Sequence, residues 1–260
     1  MDVIQKIAGE LAVHQKQVTA AVALLDEGAT VPFIARYRKE VTGGLDDIQL
    51  RLLGERLIYL RELNSRRDTI LESITTQNKL TPALEQAIIE ADTKTRLEDL
   101  YLPYKPKRRT KAQMAREAGL EPLADNILDD RNCIPEQLAA SYINADKAIN
   151  DVTAALNGAR QIIMERISED AELLSTLRER TWQKGIIQSE VAKGKELEAA
   201  KFKDYFDFQE AINKIPSHRA LALFRGRNEN LLNLTLLPGT DDKQEHQLCT
   251  QYVARHLQIS

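Results

Sequence analysis

Apolar positions recur every three or four residues through the first two-thirds of the chain, the spacing that places them on one face of an α-helix. Val3, Ile4, Ile7 and Leu11 mark a first helix, and Val18, Ala21, Val22 and Leu25 a second. Gly28 stands where a left-handed residue would end that second helix. After the Gly43-Gly44 break, Asp46 or Asp47 can cap a segment carrying Leu52, Leu53, Leu57, Leu60, Leu63, Ile70, Leu71 and Ile74. No proline interrupts residues 45–78, so one helix of about thirty residues and about 45 Å is expected. Such a helix needs a packing partner. Thr81-Pro82 starts the next one, with Leu84, Ile88 and Ile89 on one face, and an antiparallel hairpin is the simplest outcome.

Thr93 or Thr95 caps a short helix through Leu97, Leu100 and Tyr101. Pro103 and Pro106 then forbid regular helix until about Lys111, which predicts an exposed loop. Pro122 and Pro135 open further helices. Val152, Leu156, Ala159, Ile162, Ile163 and Ile167 form another amphipathic face, continued by Leu173, Leu174, Leu177 and Trp182. Beyond Gly185 the texture changes: residues 186–191 and 231–237 are short apolar runs bounded by Gly, Asn or Pro, as strands are. Residues 239–243 read as a turn. The expected fold is mainly α, a multi-helix array with a long helical hairpin. A small mixed α/β segment follows near the C-terminus, with regions at 1–185 and 186–260.

Composition narrows the function. The 260 residues are 43% hydrophobic and 29% charged, with 36 Lys plus Arg against 39 Asp plus Glu. The mean hydropathy is −0.39. A formal charge of −3 leaves no global positive field to hold a polyanion, so any nucleic-acid contact must be local. Two cysteines, Cys133 and Cys249, are too few for a disulfide framework and suggest a reducing compartment. No stretch reads as a signal peptide or membrane span, which points to the cytoplasm.

The loop supplies the local charge. Lys105, Lys107, Arg108, Arg109 and Lys111 lie within seven residues, beside Tyr101 and Tyr104. Cations reach phosphate oxygens and an aromatic face stacks on a base, whereas the plainer reading is a solvated basic turn. Residues 32–40 alternate large apolar groups with Arg36, Arg38 and Lys39, then enter Thr42-Gly43-Gly44. Phe33, Ile34 and Tyr37 are expected as core anchors. Neither the Walker spacing nor GxGxxG is present there, so nucleotide hydrolysis has no support. His246, Cys249 and His256 lack the spacing of a structural zinc site. The acidic pairs Asp46-Asp47 and Glu98-Asp99 suit helix openings rather than a catalytic dyad. No enzyme, metal or cofactor is expected.

Three long segments carry a more particular signal. Residues 26–46, DEGATVPFIARYRKEVTGGLD, closely resemble the signature of the bacterial transcription accessory protein family, Tex. So do residues 97–110, LEDLYLPYKPKRRT, continuing into 115–124, and residues 201–207, KFKDYFD, running through 215–222 to 225–229. The resemblance covers essentially the whole chain. It implies a helical N-terminal region followed, in the full protein, by a ribonuclease-H-like domain, helix-hairpin-helix elements and an OB-fold that binds RNA. Those later domains would lie beyond a chain of this length, so a fragment is expected, with no catalytic residues to carry over. The resemblance implies a non-enzymatic scaffold that supports nucleic-acid binding in transcription, with weak contact to RNA or DNA and possible partners in the transcription machinery. Its alternative is a purely structural module that docks on the downstream domains without binding nucleic acid.

Overall fold

The structure, a computed structural model, describes residues 2–130, 132–239 and 242–258. The chain is mainly helical with one small antiparallel sheet, and it divides into two compact units, residues 1–104 and 105–260. No helix among the described residues is long and apolar enough to cross a membrane.

In the first unit, α1 (Val3–Leu11), α2 (Gln15–Asp26) and α3 (Val31–Tyr37) pack on α4 (Asp47–Thr76), as do α5 (Pro82–Glu90) and α6 (Lys94–Tyr101). The 30-residue α4 forms because its start is capped reciprocally. The Gln49 N–H donates to Asp46 Oδ1 at 2.7 Å, and the Asp46 N–H donates to Gln49 Oε1 at 3.0 Å. Its buried face is Leu50, Leu53, Leu57, Leu60, Leu63, Arg67, Ile70 and Ile74, one residue per turn. Leu52, adjacent to Leu53, falls off that face and is exposed, because a stripe of this spacing admits only one of two neighbours.

The short helices divide α4 between them. Arg56 makes a bidentate pair with Glu10 of α1 at 2.6 and 2.7 Å, and Arg61 one with Asp26 of α2 at 2.7 and 2.8 Å. Further along, Arg66 pairs with Glu98 of α6, and Ser73 shares a 3.0 Å hydrogen bond with Tyr101. Arg67, only 5% exposed, donates from Nε to the Ile88 carbonyl at 3.0 Å and from Nη2 to the Ala91 carbonyl at 2.7 Å. The chain therefore reverses between α4 and α5, giving the expected antiparallel hairpin. Those two carbonyls close α5, where no further helical N–H follows to meet them.

The second unit begins with α7 (Lys111–Glu117), α8 (Glu121–Asp129), α9 (Pro135–Ala140), α10 (Val152–Ser168) and α11 (Ala171–Lys184). Ala112, Ala115, Ala155, Ala159 and Ile162 are buried in one cluster with Leu120 and Leu123. Small residues bring α7 and α10 close together. A Cβ added at Gly158 would lie 2.3 Å from Leu120 Cδ1 and 3.4 Å from Ala115 Cβ. Leu120 is itself buried, so Gly158→Ala is expected to destabilise the protein by about 1–2 kcal/mol through overpacking. A denaturation midpoint equal to or above the parent's would contradict this close approach.

The expected boundary at 185 falls inside the second unit, where α11 gives way to β1 (Ile186–Val191). With β2 (Asp207–Ala211) and β3 (Leu232–Leu237) it forms an antiparallel sheet ordered β2-β1-β3, in which Ser189 faces both Phe208 and Leu234. Helix α12 (Ser217–Asn228) packs on β3, where Gly226 leaves room for Leu232. Helix α13 (Asp242–His256) returns to α11, and His256 Nε2 lies 2.8 Å from Asp170 Oδ2 at its start. Of the turn expected at 239–243, residues 240 and 241 lie outside the described residues. So does the side chain of His246.

Residues 31–37 form α3, because Thr30 caps the Phe33 N–H and Pro32 sits in the first turn. Two sequence expectations change. Of the three anchors expected there, only Ile34 is buried; Phe33 and Tyr37, four residues apart on another face, are 42% and 57% exposed. Trp182 is likewise 56% exposed rather than a continuation of the apolar face.

Candidate nucleic-acid interface

The cationic residues singled out in the sequence fall in both units, and each group stands by itself. In the second unit, residues 105–110 have no regular structure and run directly into α7. Thr110 fixes that junction. Its Oγ1 accepts from the Gln113 N–H at 3.0 Å and donates to Glu165 Oε1 of α10 at 2.9 Å. Glu165 also receives Arg116 Nη1 at 2.5 Å. Arg166 extends the network by reaching Asp125 at 2.6 Å and Glu121 at 3.0 Å.

This network sorts the five loop cations. Lys107 is ion-paired with Glu169, whose side chain is 15% exposed, and Arg109 is held by Glu117, with its Nε at 3.0 Å. Lys105, Arg108 and Lys111 are exposed, with no ion-pair partner among the described residues. Two cations thus pin the loop and three stand in solvent. Their groups carry free donors for an anion.

Electrostatics reinforce the anchoring side. Burial pushes the Glu165 carboxyl up. Hydrogen bonds from Arg116 and Thr110, with the charges of Arg116 and Lys107, outweigh it and hold the group below the usual carboxylate range. The hydrogen bond from Arg109 lowers Glu117, helped by Gln113. Both carboxylates are therefore firmly ionised at neutral pH and fix their partners.

In the first unit, Arg36, Arg38 and Lys39 are exposed at the end of α3, again without ion-pair partners among the described residues. Arg38 lies over the Phe33 ring at 5.7 Å from its centroid, and the Phe33 and Tyr37 rings are 5.4 Å apart. Tyr104 is half-buried, its carbonyl accepting from Gln77 Nε2 at 2.9 Å. Tyr101 is no stacking surface: it is 7% exposed, bonded to Ser73 and covered by Arg66 at 5.3 Å.

Sequence reasoning missed the exposed Phe33–Tyr37 pair and the Thr110–Glu165–Arg116 anchor. The spacing of the aromatics after a Thr-x-Pro helix start could have revealed the first. Nothing local could have revealed the second, since Glu165 is 55 residues from Thr110.

The Tex-like protein N-terminal domain matches residues 1–75 and the Tex central region-like domain matches residues 130–260. The chain is 60% identical over 232 residues to Protein tex of Bordetella pertussis, covering 89% of this chain and 29% of that protein. It is 53% identical over 262 residues to Transcriptional accessory protein Tex of Neisseria gonorrhoeae, covering 100% of this chain and 34% of that one. A more distant relative is the human S1 RNA-binding domain-containing protein 1, 30% identical over 257 residues, 95% of this chain and 25% of that protein. The chain thus spans about a third or less of the length of these relatives. With matched domains at both ends and relatives of this identity across its length, the chain belongs to the Tex family.

Proposed function

We propose that this chain is a non-enzymatic scaffold of a cytoplasmic transcription accessory protein and that it adds weak, sequence-independent contacts to nucleic acid. The observation that carries the reading is the loop at 105–111, whose anchors leave Lys105, Arg108 and Lys111 free for phosphate. Arg36, Arg38 and Lys39 form a second free cationic group on the first unit. The transcriptional name of the gonococcal relative and the RNA-binding name of the human one support the setting. The five helices packed on α4 supply rigidity, holding side chains in fixed register over the length of that helix.

The test is salt dependence. Each phosphate contact contributes about −0.9 to the slope of log affinity against log salt on duplex DNA, so replacing Lys105, Arg108 and Lys111 by Ala should flatten the slope by about 2–3. Affinity near physiological salt should fall roughly a hundredfold. Fluorescence anisotropy across a salt series reads both. An unchanged slope removes the loop from the interface.

A second reading has its own support. Lys107 and Arg109 already engage Glu169 and Glu117, so this loop readily takes carboxylate partners, and its remaining cations would suit docking on an acidic protein surface. An unchanged slope together with salt-sensitive binding to the remainder of a full-length relative would favour it.

A further inference from the structure

We propose that α3 carries a stacking site for unpaired bases, formed by Phe33 and Tyr37 and flanked by Arg36, Arg38 and Lys39. The inference rests on the nucleic-acid reading above and adds to it a preference for single strands. Its starting point is a departure from ordinary burial. A seven-residue helix that needs only Ile34 in the core nonetheless exposes two aromatic rings, at 42% and 57%, in contact with each other. The Arg38 guanidinium braces the Phe33 ring, and a planar guanidinium is itself a surface on which a base can lie. Beside the ring is an open hollow of about 470 Å³ whose lining includes Leu24, Glu27, Gly28, Ala29, Phe33 and Arg38. That is the size of a small-ligand site. Gly28, with φ +91°, leaves its floor clear, since a Cβ there would meet nothing within 4 Å.

Charge selects the occupant. Three exposed cations without ion-pair partners among the described residues lie within six residues of Phe33, one of them, Arg38, over its ring, against Glu27 and Glu40 as the carboxylates of residues 27–40. An apolar protein partner would be served by the rings but not by the cations. A polyanion with π-faces uses both, the bases stacking while phosphates meet Arg36 and Lys39. In a duplex those faces are already stacked on each other, so the rings add nothing and only the cations count.

The test uses the whole chain, a labelled single strand and the matching duplex in anisotropy titrations, and a single strand containing 2-aminopurine. The native protein should quench 2-aminopurine on binding. Phe33→Leu with Tyr37→Leu keeps apolar bulk at exposed positions and removes the π-faces. It should weaken single-strand binding roughly tenfold and leave the duplex unchanged. The Lys105, Arg108 and Lys111 variant should weaken both strands alike, which tests the phosphate reading separately. If the leucine variant binds single strands as the parent does, or loses both forms equally, the stacking site is wrong while the loop result still stands. Absence of 2-aminopurine quenching by the native protein overturns it without any variant, and absence of all oligonucleotide binding overturns both readings.

Discussion

Arg67→Ala is expected to cost about 4 kcal/mol of stability, read as a lower urea midpoint in far-UV circular dichroism. Arg67 is 5% exposed and its guanidinium serves three acceptors at once: the carbonyls of Ile88 and Ala91, and the Asn64 side chain. Removing it strands buried oxygens at the end of α5 and leaves a cavity on the α4 face. A hydrogen bond from a charged donor contributes about 1.5–3 kcal/mol, and breaking a buried charged contact by deleting one side costs about 3–5 kcal/mol. Arg67→Lys should recover part of the loss, because an ammonium lacks the planar fork that spans two carbonyls. Arg67→Met refills the volume but satisfies none of the acceptors, so it should stay close to Ala. A loss below about 1 kcal/mol for Ala would mean that α5 ends without help from Arg67.

Glu165→Gln should cost about 2 kcal/mol at neutral pH, because it weakens a charge-assisted bond from Arg116 and the bond from Thr110. The pH dependence has a definite sign. The folded Glu165 pKa lies below its ordinary 4.5, so its contribution is fully present above that value and is lost as pH falls through the depressed folded pKa. Parent and variant should therefore differ at pH 7 and converge in acid. Glu117, Asp170 and Glu229 are also depressed, so the parent loses stability in acid for several reasons. The difference between the two proteins isolates Glu165. A gap that stays constant down to the acid limit would show that residue 165 acts through packing instead of charge.

The elements that declared themselves in the sequence have strong local chemistry. Asp46 followed by Gln49, Thr81 followed by Pro82, and Thr93 each open a helix in the structure, because a side-chain oxygen there meets free backbone N–H groups. Strands β1 and β3 were visible as bounded apolar runs. Strand β2 was not, since Asp-Phe-Gln-Glu-Ala has a weak alternation and takes its form from pairing with β1. Arg67 occupies the gap between Leu63 and Ile70 in an otherwise apolar stripe, and its role depends on α5, more than 20 residues away. The loop cations were legible as a charge cluster. Which of them would be free was decided by Glu117 of α7, which holds Arg109, and by Glu169 just past α10, which holds Lys107 from 62 residues away, beyond the reach of any local spacing.

Helix α4 belongs at once to the group formed by α1, α2 and α3 and to the group formed by α5 and α6. None of those five exceeds 12 residues, and helices so short barely persist alone in water. Fraying either end of the shared spine would deprive one group of its support, and losing that group would loosen the spine beneath the other. The arrangement thus makes melting of this unit a concerted event: a lesion near Arg67 is felt as a lower melting temperature at the α1 end as well.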